Sequence, residues 1–423
     1  MTARPLLVML PIAAVIAALA LHQGAGHDYI QLHASASLLA SGRNPYGVPE
    51  QIQAQNALQP LVAPRESPQP SYDQRLGFLP YFYPPWLALA CIPLTSLPYP
   101  FAKALWVVLG SLAVAASATI ITNAHPKFTI ILAPLLALMF MPAYCALALG
   151  QTSPFVLLAL AASWRLLDKN QPWPAGMVLA CLTIKPQLTI IALPAALLWS
   201  ARQGRWTVLA GFAASLALIG LACLWLCPSW PQEFLLATRY TPVPTATDPS
   251  VGVTWLSVLR TLGLSGLPLA LAFVALALPA SALALQAAWD RARPPSEPLA
   301  LGVLAAFFVS PYSLGYDLAV LLFPLAFLLP RLSNRGRLST LALALIFPHW
   351  HLLAIIRGLP QVTLFWLPAA LAAAWLVSIG QTKKPCPPHN EMDKATNKFS
   401  KVRVTTARLS PAAHPESTLS ECT

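Results

Sequence analysis

WTVLAGFAASLALIGLACLWLC, residues 206–227, holds no charged side chain and no proline. A helix of about this length spans the roughly 30 Å hydrocarbon core of a bilayer. Backbone in lipid must satisfy its own hydrogen bonds, so such a run is a helix. A transmembrane barrel would alternate with period two, and this run does not. Apolar runs recur at about 5–21, 84–97, 101–122, 127–149, 153–167, 174–184, 186–200, 267–288, 298–313, 316–330, 338–356 and 360–379. They predict an all-α polytopic membrane protein with about 11–13 membrane helices, some short or re-entrant.

Composition agrees. The 423 residues are 57% hydrophobic and 9% charged, against about 25% charged in a soluble domain. A net charge of +12 does not point to nucleic acid, because the cations sit in short loops and in the tail, as positive-inside topology requires. The seven cysteines show no disulfide or metal spacing. The run at 5–21, behind Arg4, reads as an uncleaved first helix with its N-terminus inside. Residues 1–380 read as the transmembrane domain, and the polar tail at 381–423 as a disordered cytoplasmic segment without a core.

Basic loops orient the runs. Those carrying Arg165 with Lys169, Arg202 with Arg205, Arg291 with Arg293, Arg331 with Arg335 and Arg337, and Lys383 with Lys384 are expected inside, and the longer loops at 22–80 and 228–266 outside. An odd number of crossings must separate the first outer loop from the inner loop at Lys169. One run there is therefore re-entrant or half-length, and 84–97, short and interrupted by Pro93, fits best. By the same parity 174–184 and 186–200 form a hairpin with Lys185-Pro186-Gln187 at its tip. Broken helices at membrane depth line protein or a wet cavity.

The first outer loop begins HDYIQLHASASLLASGRNPYG, residues 27–47. Tyr29, Leu32, Ala36 and Leu39 recur every three or four residues, which predicts an amphipathic helix lying in the membrane interface. Gly42 is placed to end it, and Asn44-Pro45 to turn the chain. Asp28 is either its N-cap or an acid at the membrane surface available for chemistry. FLPYFYPPW, residues 78–86, closes the loop with five aromatics and three prolines.

Together these features resemble glycosyltransferase family 87. The shared pattern is an apolar first helix, an Asp just outside it, a helix ending in a G-x-N-P-Y turn (Gly42 to Tyr46), then Y-x-Y-P-P (Tyr81 to Pro85). LGQTSP at 149–154, IKPQ at 184–187 and SPYSLGYD at 310–317 continue it. The resemblance implies a GT-C-type hexosyl- or pentosyltransferase of the cytoplasmic membrane. Such an enzyme moves a mannosyl, arabinosyl or similar residue from a polyprenyl-phosphate sugar to a glycan or glycolipid outside. It also implies that Asp28 is the general base.

That chemistry needs a carboxylate to activate the acceptor hydroxyl and a cation for the charge growing on the leaving phosphate. Lys185 lies within a long uncharged stretch, where a lysine usually faces a cavity or a partner; otherwise it snorkels to the interface. Arg43 is a second candidate for the phosphate. Asp317 can bind sugar hydroxyls, hold a divalent cation, pair with Lys185, or cap a helix. His27, Tyr83, Gln151, Gln187 and Tyr316 are candidate cavity residues. Arg239 is read as a solvated side chain or an acceptor contact. His349 and His351, two apart, project to different helix faces and make a poor metal pair. No DxD occurs in the outer loops and no glycine-rich phosphate loop anywhere, which argues against nucleotide-sugar chemistry of the soluble type. A transporter or lipid-sugar flippase is the alternative reading; a purely structural membrane protein is the third.

Overall fold

The computed structural model describes residues 26–58, 78–122, 132–240 and 248–382. The expected first helix at 5–21 lies outside them, as does the tail from residue 383 on. The described secondary structure is helical throughout. Residues up to Trp375 belong to one compact unit; Leu376–Thr382, the end of the last helix, belong to a second.

Five described helices are long and apolar enough to cross a membrane: Tyr99–Thr122, Trp206–Leu226, Gly266–Trp289, Asn334–Ile356 and Gln361–Ile379. Leu132–Met139 and Met141–Leu149, bent by 69°, make a sixth if counted as one span. Trp206–Leu226 and Gly266–Trp289 leave Leu218, Leu221, Trp225, Leu267 and Leu271 exposed. An apolar surface of that extent belongs against lipid, not water. The chain is a multi-pass membrane protein.

Among the remaining apolar runs, Ser153–Asp168 and Ser296–Val309 are continuous helices; others are broken near prolines. Run 84–97 is a seven-residue helix, Pro85–Cys91, followed by a 3-10 turn, Ile92–Ser96, that contains Pro93. Run 174–184 passes from the Pro172–Ala180 helix into a 3-10 turn, Cys181–Ile184. A four-residue helix, Pro186–Thr189, and then Ala192–Arg202 continue after Lys185. Helices that meet closely do so through glycine. A Cβ on Gly176 would lie 2.1 Å from the Val208 carbonyl oxygen, and one on Gly211 would lie 2.6 Å from that of Trp173. The Pro172–Ala180 and Trp206–Leu226 backbones therefore approach as small residues in membrane helices allow.

Of the basic loops expected to share a side, the four within the described residues gather at one end, and Lys383 with Lys384 lies outside them. Arg205 donates to the Leu167 carbonyl at 2.7 Å, Gln203 to that of Arg291 at 2.8 Å, and Trp199 to that of Arg293 at 2.9 Å. Buried Glu297 accepts from Arg293 at 2.5 Å and from Arg331 at 3.3 Å.

The first-loop helix, Tyr29–Ala40, departs from expectation. It is buried around almost its whole circumference, polar residues included, and does not present one wet face. The reason lies in its neighbours. Tyr29, Leu32, Ala36 and Leu39 pack with Leu87, Cys91, Tyr99 and Trp106. Its short polar side chains find protein partners: Ser35 accepts from Gln51 at 2.7 Å, and Ser37 donates to the His33 carbonyl at 2.9 Å. Its end is as expected. Gly42 has φ +67°, and Gly42 and Arg43 return N–H bonds to the Leu39 and Leu38 carbonyls at 3.0 and 2.9 Å, the pattern a left-handed residue allows. Asn44 then accepts from the Tyr46 N–H at 2.9 Å, closing the turn. The Tyr46 hydroxyl donates to the Tyr83 carbonyl at 3.0 Å, which fastens this turn to the proline-aromatic cluster.

Candidate functional site

Helix Met141–Leu149 ends at Gly150, whose φ is +74°. The Gly26 and Asp28 N–H groups donate to the last carbonyls of that helix, Ala148 at 2.6 Å and Leu149 at 2.9 Å. A Cβ at position 150 would lie 2.9 Å from the Gly26 Cα, so glycine is required both for the left-handed turn and for the contact. The Trp106 indole N–H donates to the Gly150 carbonyl at 2.9 Å. Residue 151 is thereby held against residue 28.

Asp28 occupies the N-cap position of Tyr29–Ala40, yet its side chain caps nothing. Oδ2 instead accepts from Gln151 Nε2 at 2.6 Å, and Oδ1 lies 3.6 Å from His27 Nδ1. The Gln151 amide is buried, and its oxygen accepts from the Tyr83 hydroxyl at 3.0 Å and from Lys185 Nζ at 3.3 Å. Burial pushes the Tyr83 hydroxyl well above the ordinary phenol range, so it remains a donor.

Lys185 sits at the break between its two short helices with φ −134° and ψ 73°. A residue before proline is driven out of the helical region, and this kink directs the side chain inward. Nζ is 2.5 Å from Asp317 Oδ1 and 3.3 Å from Ser153 Oγ. The ammonium also lies 4.8 Å from the Tyr316 ring centroid and 5.9 Å from that of Tyr83, within the range of cation–π attraction. Asp317 takes two further bonds, from Ser153 Oγ at 2.7 Å and from the Leu314 N–H at 3.1 Å. Of the roles open to Asp317 in the sequence, two are formed: it pairs with Lys185 and caps the 3-10 turn Gly315–Leu321.

Asp28, Gln151, Lys185 and Asp317 line one cavity of about 780 Å³ together with Tyr83, Gln187 and Tyr316. The sequence reading did not single out Gln31, Tyr312 or Gln361, which also line it, or Ser153, which braces the ion pair. Ser153 was visible within LGQTSP, but a serine before an apolar helix reads as an N-cap. Arg43 is not brought to the cavity: it is exposed and donates to Gln53 at 3.3 Å. His27 is beside Asp28 but not on the cavity wall. His349 contacts the Leu345 carbonyl and His351 the Thr363 hydroxyl, each at 2.7 Å, which suits packing and not a shared metal. Among the described residues no group of three or more His, Cys, Asp or Glu could hold a metal ion.

The sequence pattern of glycosyltransferase family 87 matches residues 81–311, more than half of the chain. The chain belongs to glycosyltransferase family 87. It is a membrane glycosyltransferase, a class that needs a sugar donor and an acceptor. No curated protein and no solved structure matches the chain. The family-87 match takes in Tyr83, Gln151, Lys185 and Gln187, whereas Asp28, Tyr316 and Asp317 lie outside it.

Proposed function

We propose that this family-87 enzyme is an inverting transferase. It moves a mannosyl, arabinosyl or similar residue from a polyprenyl-phosphate donor to a glycan or glycolipid on the extracytoplasmic side of the cytoplasmic membrane. The observation that carries the reading is the meeting of a carboxylate, Asp28, and an ammonium, Lys185, on one cavity, with a single amide between them. Transfer with inversion needs these two charges on opposite sides of the anomeric carbon.

The acceptor hydroxyl oxygen attacks that carbon while its proton passes to Asp28 Oδ1, the oxygen not taken by Gln151. The bond from the anomeric carbon to the phosphate oxygen breaks, and the electron pair leaves with the lipid phosphate. A phosphodiester carrying one negative charge becomes a monoester with more, so a nearby cation lowers the barrier. Lys185 has three N–H donors. One is held tightly by Asp317, and the other contacts, to Gln151 and Ser153, are long at 3.3 Å. Those are the ones an incoming phosphate oxygen displaces. The aromatic and amide wall of Tyr83, Tyr316 and Gln187 suits sugar faces and hydroxyls. Arg43, exposed and bonded to Gln53, has no part in this scheme.

The test is transfer by proteoliposomes given a panel of polyprenyl-phosphate sugars, with the products mapped. Asp28→Asn is expected to bind donor but to transfer nothing. Wild-type turnover by that variant would remove Asp28 as the base, and labelled lipid-sugar crossing the bilayer without covalent transfer would overturn the enzyme mechanism altogether.

A further inference from the structure

Resting on the assignment of Asp28 as base, we propose that Gln151 is a positioning residue that aims this carboxylate into the cavity. The geometry leaves its amide one orientation. A carboxylate only accepts and an ammonium only donates, so Nε2 must face Asp28 Oδ2, 2.6 Å away, and Oε1 must face Lys185 Nζ and the Tyr83 hydroxyl. A side chain that is 4% exposed cannot exchange these bonds for water.

The consequence for Asp28 is direct. An aspartate before a helix ordinarily turns its carboxylate onto the N–H groups of the first turn, where it is less free to take a proton. Here that cap is absent, and the bond to Gln151 is what draws the carboxylate the other way. The amide is itself fixed through the backbone, because Gly150 and Gly26 are in contact and the Gln151 N–H returns to the Ala146 carbonyl at 2.8 Å. Gln151 also joins the base to the cation. A lysine displaced toward a phosphate releases one of the two donors on Oε1, while the other, Tyr83, keeps the amide in place. The ionisable groups around Asp28 are His27 at 3.6 Å, Tyr83, Tyr99 and Tyr316, with Lys103 on the neighbouring helix packed against Gly26 and Lys185 across the Gln151 amide.

Two variants test the proposal on the full chain in nanodiscs. Gln151→Met keeps length and removes all three bonds of the amide, to Asp28, Lys185 and Tyr83. Gln151→Glu keeps the acceptors for Lys185 and Tyr83 but sets a second carboxylate against Asp28. With undecaprenyl-phosphate mannose, or whichever donor of the panel is turned over, Gln151→Met is expected to lower kcat about 10- to 100-fold, as misplacing a reacting group by about 1 Å does. The donor KM is expected to change less than about threefold. Gln151→Glu is expected to move the acidic limb of kcat/KM up by about one pH unit or more, since two adjacent carboxylates resist ionising together. Independently of turnover, the carboxylate stretch identified by subtracting the Asp28→Asn infrared spectrum is expected to shift in Gln151→Met. An unshifted band and an unmoved acidic limb would overturn the role of Gln151 while leaving Asp28 as base. Wild-type turnover by Asp28→Asn would instead overturn the base assignment. Should Gln151→Met fail to fold, the acidic limb of Gln151→Glu decides.

Discussion

The Lys185–Asp317 pair offers the sharpest measurement. Lys185 is 3% and Asp317 1% exposed, so solvent screening does not weaken their attraction as it does at a surface. Removing one member of such a pair strands a buried charge and costs about 3–5 kcal/mol. The two truncations are not equivalent. Lys185→Met leaves Asp317 with two bonds, from Ser153 at 2.7 Å and Leu314 N–H at 3.1 Å, which places its loss near the lower figure. Asp317→Leu leaves the ammonium with two 3.3 Å contacts and two aromatic faces, which places its loss near the upper. The double variant removes both charges and exchanges them for apolar volume. Its stability is expected within about 1–2 kcal/mol of the wild type, because a buried pair is often no better than a hydrophobic replacement. The coupling is then about 6–7 kcal/mol, more than ten-thousandfold in the unfolding equilibrium constant. Reversible unfolding in mixed micelles, followed by tryptophan fluorescence, measures it. Additive losses in the double variant would refute the argument, since they would mean that the two side chains do not compensate each other's burial. All three variants are expected to lose transfer, so activity alone would not distinguish them.

Other consequences are smaller and separable. Gly150→Ala places a Cβ at φ +74° and 2.9 Å from the Gly26 Cα; it is expected to destabilise the chain by about 1–3 kcal/mol and to reduce kcat, read from the same unfolding assay and from transfer rates. Tyr83→Phe removes one of the two donors on the Gln151 oxygen and is expected to cost about 0.5–1.5 kcal/mol, seen as a loss of kcat of up to about tenfold with the donor KM nearly unchanged. Arg43→Ala, outside the cavity, is expected to leave the donor KM within about twofold of wild type. Gln55→Leu frees the Leu79 N–H and carbonyl that Gln55 now binds at 2.9 and 2.7 Å; it is expected to cost about 1–3 kcal/mol in the same unfolding assay.

The class of the fold was legible in composition and proline placement alone. Uncharged runs such as 206–227 can bury their backbone in lipid only as helices, and prolines inside the shorter runs broke them at Pro93 and Pro186 before any packing was considered. The sequence also supplied the candidates, because a lysine at 185 and an aspartate at 317 within apolar surroundings are costly unless they have partners. What it could not supply is who meets whom. Periodicity around Tyr29 predicted a helix with a wet face, but periodicity records only apolar spacing, and the polar face is covered by Gln51 and its neighbours from another part of the loop. The bond from residue 151 to residue 28 depends on a glycine contact between chain segments more than a hundred residues apart, and the choice of Asp317 and not a lipid headgroup as the partner of Lys185 depends on a kink at one proline and a 3-10 turn at another place in the chain. Local sequence fixes which segments can enter a membrane, since burial there is decided residue by residue; the pairing of charges is decided by distance, and distance between remote residues exists only once the helices have packed.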